Sequence, residues 1–317
     1  MIRALATVAA LCALVPICAF ATEPAPQLAP GEIVSAASQS EWTRIAPEDL
    51  LVMELAADAA GKPRRVVIQL MPAPFSQGWI GNIRKLARAH WWDGLSVNRV
   101  QDNYVAQWGD ADGEDKAKAR ALPRGLAVMT EDQYTVGGDA PGWQRFKDLT
   151  WPRGTISSYV AFDRGWPVAA EGTPDRVQRW PVHCYGMVGV GRNLAPDTGT
   201  GAELYAVIGH APRHLDRNIA LVGRVIEGIE NLSSLPRGTG ALGFYETPGE
   251  RAQILSVRLG NELTAPSAYE YLSTDSASFL RYAQARANRR DAFFVRPAGG
   301  ADICNIPVPV RRVPAAN

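Results

Sequence analysis

Two short apolar runs, Leu50 to Leu55 and Arg65 to Met71, flank a turn-rich stretch from Ala56 to Pro63 that contains Gly61. The second run is rich in β-branched residues, and the pair reads as a hairpin. Trp79, Ile80, Ile83 and Leu86 then recur at helical spacing and predict an amphipathic helix that ends near His90. Short strands are predicted at Leu95 to Val100, Tyr104 to Gln107 and near Ser158 to Phe162. More follow at Met187 to Val190, Leu204 to Ile208 and Ala220 to Ile226, with Ile254 to Leu259 closing the series. Many short strands and few helices point to an all-β barrel or sandwich. Beyond Asn261, Asp275 or Ser276 caps a helix whose apolar face is Phe279, Leu280, Ala283 and Ala287. Phe293 to Val295 and Ile306 to Val310 are brief apolar runs.

The segments between these elements add an export signal and a large irregular region. Arg3 precedes an apolar run from Ala4 to Ile17, and Ala19-Phe20-Ala21 has the small-x-small form of a cleavage site. The run is short for a bilayer span, so residues 1–21 are expected to be a signal peptide cleaved after Ala21, with no stable membrane insertion and a periplasmic destination. Leu11 and Ile17 precede Cys12 and Cys18, where a lipoprotein would need a small residue. Residues Thr22 to about Gln39 are rich in Pro, Ala and Ser and read as a flexible linker, which is taken to extend over 22–47. From Asp110 to Arg120 the chain is polar and charged, and from there to about Val182 it is rich in Gly, Pro and Trp.

With 46% hydrophobic residues the chain has material for a sizeable core, and a formal net charge of +1 provides no basic field for nucleic acid. Signal removal leaves Cys184 and Cys304, a candidate disulfide in an oxidising compartment, or two buried thiols. His210 and His214 have helical metal-ligand spacing, but Pro212 lies between them. Asp110, Asp112 and Glu114 resemble the start of a calcium loop, yet Asp115 occupies its glycine position. No metal and no cofactor is expected.

Several blocks occur in an order that carries more information than any one alone. Trp92-Asp93-Gly94-Leu95, Asn98-Arg99-Val100 and Gln107-Trp108-Gly109-Asp110 follow the hairpin and helix. Gly186-Met187-Val188-Gly189-Val190-Gly191, Glu203-Leu204-Tyr205, Leu215-Asp216 and Val222-Gly223-Arg224-Val225-Ile226-Glu227-Gly228 come later. This series resembles the cyclophilin-type peptidyl-prolyl cis-trans isomerases across roughly residues 48 to 262. The resemblance implies a mostly β fold: a closed eight-stranded antiparallel barrel capped by helices, here with a Trp-rich insertion at about 111–182. Residues 263–317 would be a C-terminal extension packing on the barrel. The second family helix is expected between Phe162 and Cys184 or in the loop before it.

The implied activity is rotation of X–Pro bonds in proline-containing polypeptide clients, by a monomer. By resemblance Arg99 is the catalytic residue, Tyr104, Val105, Tyr205 and Leu215 line an apolar proline pocket, and Gln107 orders the Arg. Gly191 and Arg192 match a pair whose backbone meets the peptide. Departures from the family pattern are Val97-Asn98 for Phe-His, His214 for Trp, Ile219 for His and Glu203 for Gln. A Glu203–Arg99 ion pair would either orient the guanidinium or tie it up. The alternative function is a catalytically degenerate peptide- or protein-binding module of the cell envelope. The insertion carries Trp143, Trp151, Trp166 and Trp180, and is expected either to cover the barrel or to wall the substrate groove.

Overall fold

A computed structural model describes residues 28–138, 146–147, 156–173 and 176–314. Along the chain lie α1 (Pro30–Ser35), β1 (Trp42–Arg44), β2 (Leu50–Leu55), β3 (Arg64–Leu70), α2 (Gln77–Arg88), β4 (Ser96–Val100) and β5 (Val105–Gly109). The insertion contributes β6 (Val136–Gly138), β7 (Phe146–Lys147), β8 (Tyr159–Asp163), β9 (Trp166–Thr173) and β10 (Arg176–Pro181). Then come β11 (Met187–Val190), β12 (Leu204–Val207), β13 (Leu221–Glu227), α3 (Glu230–Ser233), β14 (Ala252–Leu259), β15 (Tyr269–Leu272), α4 (Ala277–Ala287) and β16 (Val310–Arg312).

Eight of these strands close an antiparallel barrel in the order β11-β12-β5-β4-β14-β2-β3-β13. The inward residues of the first hairpin, Leu51, Met53, Leu55, Val66, Ile68 and Leu70, are almost fully buried in one continuous core. The amphipathic helix α2 turns Trp79, Ile80, Ile83 and Leu86 into that same core. It is also anchored by polar contacts. Trp79 Nε1 donates to the Gly199 carbonyl at 3.0 Å, and Asn82 Nδ2 donates to Ala127 and Thr200 carbonyls at 2.9 and 3.0 Å. These bonds hold two loops, around 127 and 199, against the helix, and both loops run on to the groove described below.

Two expectations need correction. Residues 30–47, read as part of a flexible linker, form α1 and β1, with Ile33 and Trp42 buried. Their partners come from the far end of the chain: β1 pairs with β15, β15 pairs with β16, and α1 lies against α4. Among the described residues no helix forms between Phe162 and Cys184, an interval that holds β9 and β10; much of the loop before it, the other expected place, lies outside the described residues. The short helix α3 instead follows β13 and packs near β3.

The insertion is an antiparallel sheet of its own, ordered β6-β10-β9-β8-β7. Trp166 and Trp180 are fully buried and share one core with the barrel, together with Val160, Phe162 and Val168. Phe162 packs edge-to-face on Phe279 of α4, with ring centroids 4.9 Å apart. The guanidinium of Arg224 on β13 clasps the joint: it donates to Gln69 Oε1 and the Gly165 carbonyl and lies 4.5 Å from the Trp166 ring. Trp143 and Trp151 lie outside the described residues, as does the expected signal peptide.

The C-terminal extension packs back on the barrel through Tyr269, which joins Leu50, Val52 and Val67 in a second cluster. Ser276 caps α4 by accepting the Phe279 amide at 3.1 Å. Of the face expected for α4, Phe279 and Ala283 are buried, while Leu280 and Ala287 are half-buried and Tyr282 takes the remaining inward position. Cys184 and Cys304 form a disulfide, with Cα atoms 5.1 Å apart, closing a separation of 120 residues.

Candidate active site

A groove of about 690 Å³ runs over β4, β5 and β12, and every residue assigned to substrate or catalysis from the sequence lines it: Arg99, Tyr104, Val105, Gln107, Gly191, Arg192, Glu203, Tyr205 and Leu215. The strand register explains the convergence. Gln107 on β5 lies directly across from Arg99 on one side and from Tyr205 on the other. A register shift at Asn98 puts one extra residue in β4, and such a bulge re-aims the side chains around it.

Arg99 is half-buried and held by three acceptors. Its Nε donates to the Leu242 carbonyl at 2.8 Å, Nη1 donates to Gln107 Oε1 at 3.1 Å, and Nη2 donates to Gln101 Oε1. The guanidinium also faces the Tyr104 and Phe244 rings, 5.8 and 5.2 Å from their centroids. Burial draws its pKa downward, with Tyr104 acting in the opposite direction. A guanidinium has five N–H donors, so two remain for a ligand.

The apolar side of the groove is built on Val105, Tyr205 and Val207, with Tyr104 and Ile219 packed against them. The Tyr205 ring is set in place from behind. Its hydroxyl lies 3.0 Å from His183 Nε2, and His183 Nδ1 lies 2.9 Å from Asp216 Oδ1. A carboxylate only accepts, so Nδ1 donates to it, and in the neutral ring Nε2 accepts from the tyrosine hydroxyl. Arg213 closes the chain with an Nε–Oδ2 contact of 2.9 Å to Asp216. Burial raises the Tyr205 pKa well above the usual tyrosine range, keeping the hydroxyl a donor.

Two glycines make room for this arrangement. Gly189 lies opposite Tyr205, and a Cβ there would come within 2.3 Å of the phenol oxygen. A Cβ on Gly191 would come within 2.8 Å of Glu203 Cβ. The Gly-Val-Gly sequence, readable as a mere strand edge, is what lets the Glu-Leu-Tyr segment lie against β11.

Glu203 forms no ion pair with Arg99 among the described residues; Gln107 stands between them. Glu203 Oε1 accepts the Asp110 amide at 2.6 Å, and Oε2 accepts Gln107 Nε2 at 3.5 Å. Burial pushes its pKa up to about 7 against these bonds, and the neighbouring Asp110 charge acts in the same direction as burial. Arg192 turns its side chain to the Asn218 and Asn193 carbonyls, at 3.0 and 2.7 Å.

The opposite wall consists of loops. Leu242, Phe244 and Tyr245 come from the connection between α3 and β14, whose backbone bonds to β4 through Gly238 N to Val100 O and Tyr245 N to Asn98 O, both 2.9 Å. Ala119, Arg120 and Leu122 come from the first part of the insertion. The described strands of the insertion do not line the groove. The insertion therefore serves both expected roles in different parts: its opening loop walls the groove and its sheet covers the barrel. Sequence reasoning missed the 242–245 wall and His183. The only local hint of the former is the glycine spacing of Gly238, Gly240 and Gly243.

The barrel agrees with what is known of similar proteins. The family model for cyclophilin type peptidyl-prolyl cis-trans isomerase/CLD matches residues 62–259, more than half of the chain. The crystal structure of cyclophilin AquaCyp293 from Hirschia baltica superposes with a TM-score of 0.64 at 22% identity, covering 87% of this chain and 95% of that one. A cyclophilin type isomerase from Cryptosporidium parvum, crystallised in the presence of the dipeptide Ala-Pro, overlaps more loosely: TM-score 0.36, 10% identity, 66% of this chain and 98% of that one. No curated protein matches the chain. The chain belongs to the cyclophilin-type peptidyl-prolyl cis-trans isomerase family.

Proposed function

We propose that the chain rotates X–Pro bonds in exported polypeptides, with Arg99 as the catalytic residue. Rotation about an amide faces a barrier of ~18–20 kcal/mol because the C–N bond has double-bond character. Twisting the bond localises the nitrogen lone pair, which then accepts a hydrogen bond that the planar amide cannot. A permanently charged donor at that nitrogen favours the twisted form selectively. Arg99 supplies it with the two N–H groups that its neighbours leave unused. Tyr104, Val105, Tyr205 and Leu215 hold the ring of the proline. Gln107 fixes the guanidinium from across the sheet. The observation that carries the reading is Arg99 clamped at the mouth of an apolar pocket by Gln107, Gln101 and Leu242.

Export is supported by the Arg3 to Ala21 leader pattern and by the Cys184–Cys304 disulfide, since disulfides persist in oxidising compartments. A binding module without turnover is the second reading, favoured by the three bonds that already occupy Arg99. A protease-coupled assay on a short X–Pro peptide decides between them. The proposal predicts acceleration of the cis-to-trans phase in proportion to protein concentration. Peptide binding with no acceleration would establish the second reading instead.

A further inference from the structure

Among the described residues, Glu203 is the one acidic side chain that bonds to Gln107, one of the three residues holding Arg99, and its surroundings are built around it. Gly109 lies so close that a Cβ there would stand 2.0 Å from Glu203 Oε1, and Gly191 gives way to its Cβ from the other side. Three donors point at the carboxylate: the Asp110 amide at 2.6 Å, Gln107 Nε2 at 3.5 Å and the Asn98 side chain.

That set of donors has a consequence for Gln107. An ionised carboxylate can only accept, so it takes the amide nitrogen of Gln107 and leaves the amide oxygen for Arg99, as the 3.1 Å contact from Nη1 shows. A protonated Glu203 must instead donate one hydrogen. The Asp110 amide is a fixed donor and cannot receive it. If Gln107 turns to offer its oxygen, its NH₂ meets the guanidinium, donor against donor, and Arg99 loses one of its three acceptors.

We infer that Glu203 is a positioning residue: ionised, it orients the Gln107 amide so that Gln107 holds Arg99 for catalysis, and protonation releases that hold. This deepens the reading of Arg99 given above and rests on it. Burial places the change of charge near neutral pH, about 7. The other ionisable groups facing the region are Tyr104 and Asp110 at the two ends of β5, Arg99 beyond Gln107, Arg192 after β11, Tyr205 on β12, Tyr245 in the connection before β14 and Arg251 just before β14. Glu114, Asp197 and Arg120 line the same groove from the loops. Asp110 opposes ionisation of Glu203. Asn98 provides the competing route. Its Oδ1 is buried without a hydrogen-bond partner, so Asn98 is able to turn in place of Gln107 and leave Arg99 untouched.

The test measures turnover of an Ala-Pro tetrapeptide by exchange NMR, which needs no coupling protease, between about pH 5.5 and 8.5. In parallel, the Nε–H signal of Arg99 is followed in the free protein. We expect kcat to rise roughly 3- to 10-fold across neutrality, the net size of one typical hydrogen bond, with KM constant within about twofold. Glu203→Gln should be flat at the low-pH rate, because its carboxamide must also donate to Gln107. The Arg99 signal should titrate in the wild type and not in Glu203→Gln. Gln107→Met, which keeps the shape and removes the amide, should abolish the same titration and serves if Glu203→Gln does not fold. A flat wild-type profile, a slope that persists in Glu203→Gln, or an Arg99 signal that ignores pH would overturn the inference; the last would show that Asn98 turns instead. Absence of turnover at every pH, with the Arg99 titration present and lost in Glu203→Gln, would sink the isomerase reading and leave this coupling standing.

Discussion

On one side of the groove, Val105, Gln107 and Tyr205 stand on barrel strands, each locked by cross-strand neighbours and, for Tyr205, by the buried His183–Asp216 pair. On the other side, Leu242, Phe244 and Leu122 stand on connections and remain 66%, 40% and 44% exposed. The strand wall fixes a donor and an apolar seat with little freedom, as stabilising a twisted amide requires. The loop wall gives Arg99 one backbone acceptor, the Leu242 carbonyl, and presents to the groove the apolar Leu242, Phe244 and Leu122 together with the charged Glu114, Arg120 and Asp197. The proposed function assigns chemistry to the strand wall and access to the loop wall, and variants on each side should separate the two.

The largest effect is expected behind the strand wall. Cys304→Ser opens a closed loop of 120 residues, and on the chain-entropy model such a loop stabilises by about 4–5 kcal/mol, less any strain. Urea unfolding should show a loss of that order. A midpoint unchanged from the wild type would show that the disulfide does not secure the segment next to His183.

Glu203 gives the next effect, with a sign fixed by linkage. Its folded-state pKa, about 7, lies above the ordinary 4.5. Below about pH 4.5 both states are protonated and nothing is lost; as pH rises toward 7 the unfolded chain ionises first and stability falls. The full cost at alkaline pH is roughly 3 kcal/mol, at about 1.36 kcal/mol per pKa unit. Glu203→Gln should therefore raise the thermal midpoint relative to wild type at pH 8 and not at pH 4. Equal midpoints at both pH values would contradict a buried carboxylate here. The same group that is needed ionised for positioning Arg99 thus lowers stability in that form.

Smallest are the loop-wall effects. Phe244→Ala removes one ring facing Arg99 and should lower kcat/KM by less than about fivefold, mostly through KM, since an exposed cation–π contact is worth ~0.5–1 kcal/mol. A loss as large as that from truncating Arg99 would erase the distinction between the walls.

The same division marks what was legible in the chain. Arg99, Gln107, Glu203 and Tyr205 were readable only through the resemblance of their motifs, taken in order, to those of the family; strand alternation alone singles out none of them. Leu242 and Phe244 were not, because their connection has no periodicity and its contact with Arg99 spans 143 residues. His183 gave no signal, since its role depends on Tyr205 and Asp216 meeting it in the folded barrel. The motif left a Glu203–Arg99 pair open, because proximity in it does not reveal that Gln107 lies between them. Residues 30–47 looked flexible by composition, yet Trp42 is buried against a partner strand from the opposite end of the chain, which no local pattern encodes. The insertion's sheet was hidden for a related reason: Trp166 and Trp180 find their burial in a core shared with the barrel.

The central claim is that Arg99 stabilises the twisted amide, and its most direct test is the rate of cis–trans exchange in an Ala-Pro peptide with wild type, Arg99→Lys and Arg99→Ala, each verified as folded by near-ultraviolet circular dichroism. A charge-assisted hydrogen bond is worth roughly 1.5–3 kcal/mol, so Arg99→Ala should lower kcat/KM by about 10- to 100-fold. Arg99→Lys should recover little, because an ammonium cannot reproduce the three-acceptor fork that orients the guanidinium. Exchange rates in Arg99→Ala equal to those of the wild type would contradict the account.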